Sequence, residues 1–192
     1  MDISKKVVFN THYALFTEIE EDDNRLIYKL RSSKKKNLLF NENYTIDNQY
    51  KYYNDVYLKS RTKNEEIYFK IYPLNNQKNV YGFVRLTNLK KKLSFSWDSL
   101  IVSEKSPPWF AIDITVAIYN IGFNNFNKKN CGPWTVPKEG TRVRNFHLKM
   151  GFASIVNEDK RFYYFSISKQ QFHIKYNYFK KINFGTIKSF KN

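Results

Sequence analysis

Two side chains in the sequence combine an ionisable group with apolar or hydroxylic neighbours, a setting in which acid–base chemistry is common. His147 lies in the run GTRVRNFHLKMGF, and an imidazole that titrates near neutral pH can donate a proton. Asp98 is the only carboxylate in SFSWDSLIV, and is a candidate for a base or for a group that orients an amine. The alternatives are a histidine held by a helix dipole and a structural or surface acid.

A helix and a hairpin position His147. The apolar residues within 140–150 predict a helix, and Gly151 follows it where a C-cap requires a left-handed residue. Lys149 places a cation in the last turn, which the helix dipole favours. Residues 152–156 and 162–167 then predict two short strands around a polar turn. A helix stopped by glycine and followed directly by a hairpin is a specific arrangement.

This arrangement resembles the C-terminal half of the GCN5-related N-acetyltransferases. In that family the last helix commonly ends in a phenylalanine–tyrosine pair, a few residues and then glycine–phenylalanine. Here the corresponding pairs are Phe146-His147 and Gly151-Phe152. The resemblance implies an α+β fold with a mixed, mostly antiparallel sheet and helices on both faces. It also implies acetyl-CoA as cofactor, and it places His147 where many members carry a tyrosine that protonates the coenzyme A thiolate.

The upstream chain has the element order of the N-terminal arm of that fold. The first helix has an acidic first turn, and the second has Thr45 as its N-cap. We predict, in order, a strand, two helices and three antiparallel strands over residues 7–16, 20–32, 45–59, 66–73, 80–88 and 93–102.

The resemblance also implies where the cofactor lies. In the family the next strand, here expected over 131–136, separates from the strand before it, and the pantetheine arm enters that opening. The backbone of Leu100, Ile101 and Val102 is the expected partner of this arm. At the start of the later helix, Gly140 occupies a position where members often carry a cofactor-binding asparagine, which leaves Asn145 as the substitute.

The pyrophosphate of the cofactor is expected on the N-terminus of the helix after residue 108. Members often have glycines there, but SEKSPPWFAID contains none. Ser106 is a candidate N-cap, and the two prolines are suited to a first turn but have no N–H to offer. The free donors for a phosphate are then the amides of Trp109, Phe110 and Ala111. The alternative is an ordinary buried helix start. The helix itself is apolar nearly all round, so we expect it to be buried against the sheet and to end at Gly122.

Within the family, the chain looks most like the bacterial branch that acetylates nucleotide-linked amino sugars during surface-polysaccharide assembly. The motifs behind this are Leu30-Arg31, Phe40-Asn41, Gln49 with Tyr52-Tyr53, Val84-Arg85-Leu86 and Trp97. By that resemblance Asp98 borders an acceptor pocket formed by Arg31, Asn41, Gln49, Trp97 and Trp134. For Gln49 and Trp97 the alternatives are the helix surface and the core.

The charge of the chain fits an anionic partner. Its 33 basic and 17 acidic residues give a net charge of +16, but only 7 of the basic residues are arginine. Arginine is the main reader of bases and phosphates, so a non-enzymatic nucleic-acid-binding protein is the less favoured alternative. A protein or peptide N-acetyltransferase is another, although the excess of lysine disfavours a groove for basic peptides. A small anionic acceptor, such as a nucleotide sugar, accounts for the sign equally well.

Length and composition limit the remaining possibilities. A chain of 192 residues suits one domain, here expected over 1–169, with a basic aromatic extension over 170–192. The start MDISKKVVFN lacks a signal-peptide core, and no apolar run approaches about 20 residues, so we expect a cytoplasmic protein. One cysteine, and three histidines without HExxH spacing, predict neither a disulfide nor a metal site. If the extension forms a homodimer interface, its expected anchors are Phe172, Tyr176 and Phe179.

Overall fold

The computed structural model describes residues 7–33 and 44–191. Nine strands form one mixed sheet in the order β7-β8-β6-β5-β4-β3-β2-β1-β9. The strands are β1 (Val8–Asn10), β2 (Ala14–Glu18), β3 (Ile67–Pro73), β4 (Gly82–Thr87), β5 (Ser94–Val102), β6 (Asn130–Pro137), β7 (Ser154–Glu158), β8 (Phe162–Ser168) and β9 (Ser189–Lys191). All neighbouring strands pair antiparallel except β5 and β6, which are parallel. The fold is therefore the α+β arrangement expected from the sequence.

Helices lie on both faces of this sheet. They are α1 (Asp23–Ser32), α2 (Ile46–Tyr52), α3 (Leu58–Thr62), α4 (Phe110–Asn120), α5 (Thr141–Met150) and α6 (Lys169–Lys181). π-helical turns Tyr53–Tyr57 and Ile121–Asn125 follow α2 and α4. Among the described residues no helix is both long and apolar enough to cross a membrane.

The two faces of the sheet have separate hydrophobic cores. The larger core holds buried residues of α4 and α6 together with aromatic residues of β5, β6 and β8. The smaller core joins Ile27 of α1 and the tyrosines of the π-helical turn to Tyr68, Phe83 and Ile101 of the sheet. Side chains of a strand alternate between these faces, so the same strands contribute to both cores.

The local signals at helix ends act as the sequence predicts. Thr45 is the N-cap of α2, and its hydroxyl and the Asn48 side chain form a capping box. Gly151 ends α5 in the left-handed region, with φ 67°. Thr45 therefore fixes where α2 begins, and Gly151 fixes where α5 ends.

Two predicted elements differ from the structure. The single strand predicted over 7–16 is a hairpin, because the Thr11 hydroxyl oxygen accepts hydrogen bonds from the amides of Tyr13 and Ala14 and turns the chain between β1 and β2. Gly122 does not end α4. It lies inside the π-helical turn, where an added Cβ would be 2.1 Å from the Phe95 ring, so close packing explains the glycine.

The C-terminal extension packs against the rest of the chain. Strand β9 pairs with β1, and the Phe172 and Tyr176 side chains of α6 are buried in the larger core. Phe179 is partly buried, with its ring centroid 4.9 Å from that of Phe152. The expected interface anchors therefore hold α6 to its own chain.

A buried hydrogen-bond network fastens the extension to α4. The Gly185 amide donates to Asp113 Oδ1 (2.7 Å), and the Thr11 hydroxyl donates to Asp113 Oδ2 (2.8 Å). The Asn120 side chain donates to the Gly185 carbonyl (2.8 Å). Burial raises the pKa of Asp113 to about 6, although both hydrogen bonds oppose the rise.

Candidate active site

An opening between β5 and β6 is the main feature of the site. The two strands pair only at Ser94 with Asn130 and at Phe95 with Cys131. Strand β5 then continues to Val102 and β6 to Pro137, with no further pairing between these described strands. The contact with the pantetheine arm is expected from the sequence at residues 100–102, whereas the strands separate directly after Phe95, so the opening is deeper than expected.

A bulge in β5 lies beside this opening. The pairing of β4 with β5 shifts between Phe83 and Arg85, which places one extra residue in β5, and Ser99 there has φ 54°. Strict alternation would place Asp98 on the opposite face from Ile101. Because of the bulge, Asp98, Ser99 and Ile101 all make contacts on the α1 side.

Asp98 is paired with a cation on the neighbouring strand. Arg85 lies directly opposite it and donates two hydrogen bonds to its carboxylate, of 2.7 and 2.9 Å. The Asp98 side chain remains 43% exposed, so one side of the carboxylate is open to solvent. The structure thus places the predicted base at the rim of the site, held in orientation by an arginine.

Two residues lie behind this pair: Tyr52, which belongs to the sequence motif, and Glu66, which the sequence reasoning missed. Arg85 Nη1 donates to the Tyr52 hydroxyl, and that hydroxyl donates to Glu66 Oε1 (3.0 Å). Burial raises the pKa values of both Glu66 and Tyr52, although Arg85 opposes the rise. The alternation of β3 and β4, which places Glu66, Tyr68 and Arg85 on the face of α1 and α2, was the signal that could have found Glu66.

Arg31 lies beside the bulge. Its Nη2 donates to the Ser99 hydroxyl (3.1 Å) and to the Tyr68 hydroxyl (3.4 Å), and its guanidinium lies 5.8 Å from the Tyr44 ring centroid. No carboxylate within 7–33 and 44–191 forms an ion pair with it. Arg31 is therefore a partly buried cation whose neighbours are hydroxyls and a ring.

Gln49 and Asn41 were also predicted to form the acceptor pocket. Gln49 is fully buried, donates to Asn24 Oδ1 (2.9 Å) and accepts from the Tyr44 hydroxyl, so its amide joins α2 to α1. The surface position considered for it is therefore wrong. Asn41 lies outside the described residues.

His147 lies in an aromatic cage on the other face of the opening. Its ring centroid is 5.6 Å from that of Trp97, 5.5 Å from Trp134 and 5.3 Å from Phe165. The side chain is only 4% exposed. Burial among these rings lowers the pKa of the imidazole from 6.5 to about 4, so His147 is neutral at pH 7. A neutral imidazole can donate a hydrogen bond, but it is not the imidazolium ion that would act as a general acid, as expected from the sequence.

Trp97 and Trp134 lie just past the point where β5 and β6 separate, and both belong to the larger core. Their ring centroids are 5.8 Å apart, and both side chains are more than nine-tenths buried. Among the described residues neither indole Nε1 has a hydrogen-bond partner. The buried hydroxyl of Tyr119, which packs against both rings, also lacks a partner there. Buried donors without acceptors are rare in proteins and are expensive to maintain.

The start of α4 only partly matches its predicted role. The Phe110 amide donates to the Pro107 carbonyl (3.0 Å), so it is not available to a phosphate as expected. Ser106 donates its hydroxyl to the Ser103 carbonyl (2.6 Å) and does not cap the helix, because Trp109 is the N-cap residue. Of the three expected donors, the amides of Trp109 and Ala111 remain candidates.

An aromatic pocket of about 570 Å³ borders this helix start. It is lined by His12, Tyr13, Pro73, Leu74, Asn75, Tyr81, Pro107, Trp109 and Phe110. The Trp109 side chain is 37% exposed there, and its ring stacks on Phe184 of the extension. The pocket lies at one end of the strands, beside the last residue of β3 and the residue before β4.

The start of α5 is basic. Lys138 and Arg144 contact the Tyr163 ring, at 5.2 and 5.0 Å from its centroid. Arg142 and Asn145 are exposed on the same helix. The N-cap of α5, Gly140, has no side chain to bond the first amides. This end of the opening is suited to an anionic group.

Comparisons with known proteins gave matches only among solved structures. No protein-family model matches the chain. No curated protein matches its sequence. FdhC, described as a nucleotide-linked sugar GNAT, is 27% identical with a TM-score of 0.78, over 92% of this chain and 97% of that one.

Two further structures share the fold at lower identity. Spermidine N-acetyltransferase from Vibrio cholerae, in complex with CoA and spermine, is 17% identical with a TM-score of 0.65, over 83% of this chain and 98% of that one. The Campylobacter jejuni N-acetyltransferase PseH, in complex with acetyl coenzyme A, is 15% identical with a TM-score of 0.60, over 81% and 99%. This chain therefore has the fold of the GCN5-related N-acetyltransferases.

Proposed function

We propose that the protein transfers an acetyl group from acetyl-CoA to the amine of a small anionic acceptor, a nucleotide-linked amino sugar. The opening between β5 and β6, with the Ser99 bulge and the Arg31 cation beside it, carries this proposal. The likeness to FdhC over nearly the whole chain supports the acceptor class. When bound, acetyl-CoA supplies an acetyl thioester, from which the acyl carbon passes to the amine nitrogen while the sulfur leaves with one proton.

The residues of the opening fit such a cofactor. Beyond Phe95, the edge of β5 that includes Leu100 and Ile101 is not covered by β6 in the described structure. An extended pantetheine arm can bond to an open strand edge as another strand would. The basic start of α5 and the amides of Trp109 and Ala111 are the candidates to hold its phosphates.

The charges on the α1 face favour an anionic acceptor over a polyamine. Arg85 is balanced by Asp98 and Glu66, whereas Arg31 has no carboxylate partner among the described residues. A site for a polycation would instead present uncompensated acids. A phosphate of the acceptor would complete the coordination of Arg31 through charge-assisted hydrogen bonds.

Within this proposal, Asp98, the residues that hold it and His147 have separate tasks. The exposed side of Asp98 accepts a hydrogen bond from the acceptor amine and orients it. Glu66 and Tyr52 hold Arg85, and Arg85 holds Asp98. His147 stays neutral and lines the opening, where its N–H can donate to the leaving sulfur.

Two measurements test this function. Melting temperature should rise by several degrees with acetyl-CoA but not with adenosine alone, because only the full cofactor fills the opening. A thiol-release assay with nucleotide-linked amino sugars, spermidine and a peptide with a free N-terminus should then give turnover with the sugars. Preference for spermidine or the peptide would reject the acceptor class, and no thermal shift at millimolar acetyl-CoA would reject the enzyme.

A further inference from the structure

We propose that the indole N–H of Trp134 donates a hydrogen bond to the carbonyl oxygen of the acyl thioester, where β5 and β6 separate. This inference rests on the proposed function and adds a catalytic residue to it. Trp134 was expected to shape the acceptor pocket, whereas its position in the opening favours contact with the acyl group.

The position of Trp134 follows from the pairing of β6. Cys131 is the last residue of β6 that pairs with β5, and Trp134 comes three residues later, where β6 pairs with β8 alone, Trp134 lying opposite Phe165. Trp97 comes two residues after Phe95, the last paired residue of β5. Both indoles therefore lie just past the point where the strands separate, with ring centroids 5.8 Å apart. A ligand that fills the opening as far as this point would contact them.

The Trp134 side chain is only 8% exposed, and its Nε1 is buried without an acceptor in the described structure. The surrounding groups are rings, with Phe165 stacked at 5.9 Å, His147 at 5.5 Å and Tyr119 at 6.2 Å. Leaving a buried donor unsatisfied is destabilising. A site that keeps such a donor beside a cleft is complementary to an acceptor atom on a ligand.

Trp97 serves as an internal comparison. Its indole lies against Tyr119, with ring centroids 5.9 Å apart, and this contact opposes the burial-driven rise in the pKa of the Tyr119 hydroxyl. Its N–H is thus directed to a group of the protein, although no hydrogen bond forms. Trp134 also packs against the Tyr119 ring, but of the two indoles only that of Trp97 opposes the rise in the Tyr119 pKa, so the Trp134 N–H is the donor that a ligand can satisfy.

The acceptor that fits is a neutral carbonyl oxygen. The aromatic lining offers no cation to balance an anionic group, so a charged acceptor would be poorly solvated there. An N–H aimed at a carbonyl in a water-poor site also stabilises negative charge as that charge develops on the oxygen. The acyl carbonyl is the part of the proposed cofactor with this chemistry.

Indole N–H resonances test the proposal directly. The chain has three tryptophans, so a protein labelled with ¹⁵N at the indoles gives three signals, which Trp→Phe variants assign. Acetyl-CoA should move the Trp134 signal downfield, whereas free CoA and S-ethyl-CoA, a thioether without the carbonyl, should not. The signals of Trp97 and Trp109 serve as controls. A change in either of them shows that a ligand has bound, even when the Trp134 signal does not move.

A single-atom replacement tests the catalytic consequence. Site-specific 3-benzothienylalanine at position 134 replaces the N–H by sulfur and keeps the bicyclic shape, so it leaves no cavity as Trp134→Phe does. We expect kcat to fall roughly 10²-fold with little change in KM, because the bond strengthens as the carbonyl gains charge. Affinity for S-ethyl-CoA should be unchanged.

Three results would overturn the proposal. If backbone amides along the opening respond to acetyl-CoA while the Trp134 indole does not, this inference is wrong and the proposed function stands. An equal downfield shift with all three ligands would show that the indole meets another part of the cofactor. If no signal responds at millimolar acetyl-CoA, the proposed function fails as well.

Discussion

Arg85 and Asp98 lie directly opposite each other on β4 and β5 and share two hydrogen bonds of 2.7 and 2.9 Å. The pair lies one residue before the bulge at Ser99, which turns both Asp98 and Ser99 toward α1. The cation of this pair is further held by Tyr52 and Glu66. The candidate acceptor site is therefore a connected set of charges on one sheet face.

Asp98→Asn should reduce both stability and turnover. The variant loses one of two charge-assisted hydrogen bonds, but the carboxylate is 43% exposed, so solvent screening limits the expected loss in unfolding free energy to about 1 kcal/mol. Urea unfolding of Asp98→Asn, Arg85→Gln and the double variant measures the coupling. Additive effects of the two substitutions would contradict the pairing.

Arg31→Gln should raise the KM for the acceptor. A charge-assisted hydrogen bond to a phosphate is worth about 1.5–3 kcal/mol, which corresponds to a rise of roughly tenfold to a hundredfold. Steady-state kinetics with a nucleotide-linked amino sugar measure it, and the KM for acetyl-CoA should stay nearly constant. Arg25→Gln, at an exposed position of the same helix, is the matched control. Equal effects of the two variants would mean that net charge alone matters.

His147→Phe should lower turnover more than affinity for acetyl-CoA. Phenylalanine fits the aromatic cage but cannot donate to sulfur, so binding is retained while the leaving group loses its partner. Because the pKa of His147 is about 4, kcat/KM of the native protein should show no acidic limb from this residue near pH 6.5. Equal losses in kcat and affinity would indicate a purely structural histidine.

The buried side chains of His147 and Asp113 should make the free energy of unfolding depend on pH in opposite directions. The folded pKa of His147 is lowered to about 4, so its contribution is present above pH 6.5 and is lost as the pH falls toward 4, by roughly 3 kcal/mol. The folded pKa of Asp113 is raised to about 6, so its contribution is present below pH 3.8 and is lost as the pH rises through 6, by a similar amount.

Urea unfolding between pH 4 and 7 separates these two groups. In His147→Phe the remaining Asp113 should make stability fall as the pH rises, and in Asp113→Asn the remaining His147 should make it fall as the pH drops. The sign of each slope is the readout, since either variant can also shift the overall level. Identical slopes in the two variants would contradict both assignments.

Gly185→Ala should destabilise the protein by roughly 2–4 kcal/mol. Gly185 has φ 61°, and an added Cβ would lie 2.4 Å from Val116 Cγ1 and 2.6 Å from the Ala117 amide nitrogen, so α4 and the extension must move apart. Gly151→Ala is the matched control. Its φ is 67° but its nearest neighbour is the Lys175 side chain at 3.7 Å, so only the backbone strain of about 1–2 kcal/mol applies. Thermal unfolding of the two variants measures the difference, and equal losses would mean that the close contact is unimportant.

The sequence by itself determined the elements that depend on near neighbours. The capping box at Thr45, the left-handed C-cap at Gly151 and the order of strands and helices are all set by residues within a few positions of each other. The family resemblance added the fold and the opening between two strands. It also led to Asp98 and Arg31, both of which the structure places next to the bulge.

Only the tertiary structure decided the partners across the sheet. The bulge at Ser99 changes which residues face α1, and no local pattern marks it, because it depends on the register between β4 and β5. The same register brings Glu66 to Arg85, and the separation of β5 from β6 encloses His147 in rings and leaves the Trp134 donor without an acceptor. Burial and pairing of this kind arise from residues far apart in the chain, so they are fixed only when the strands meet.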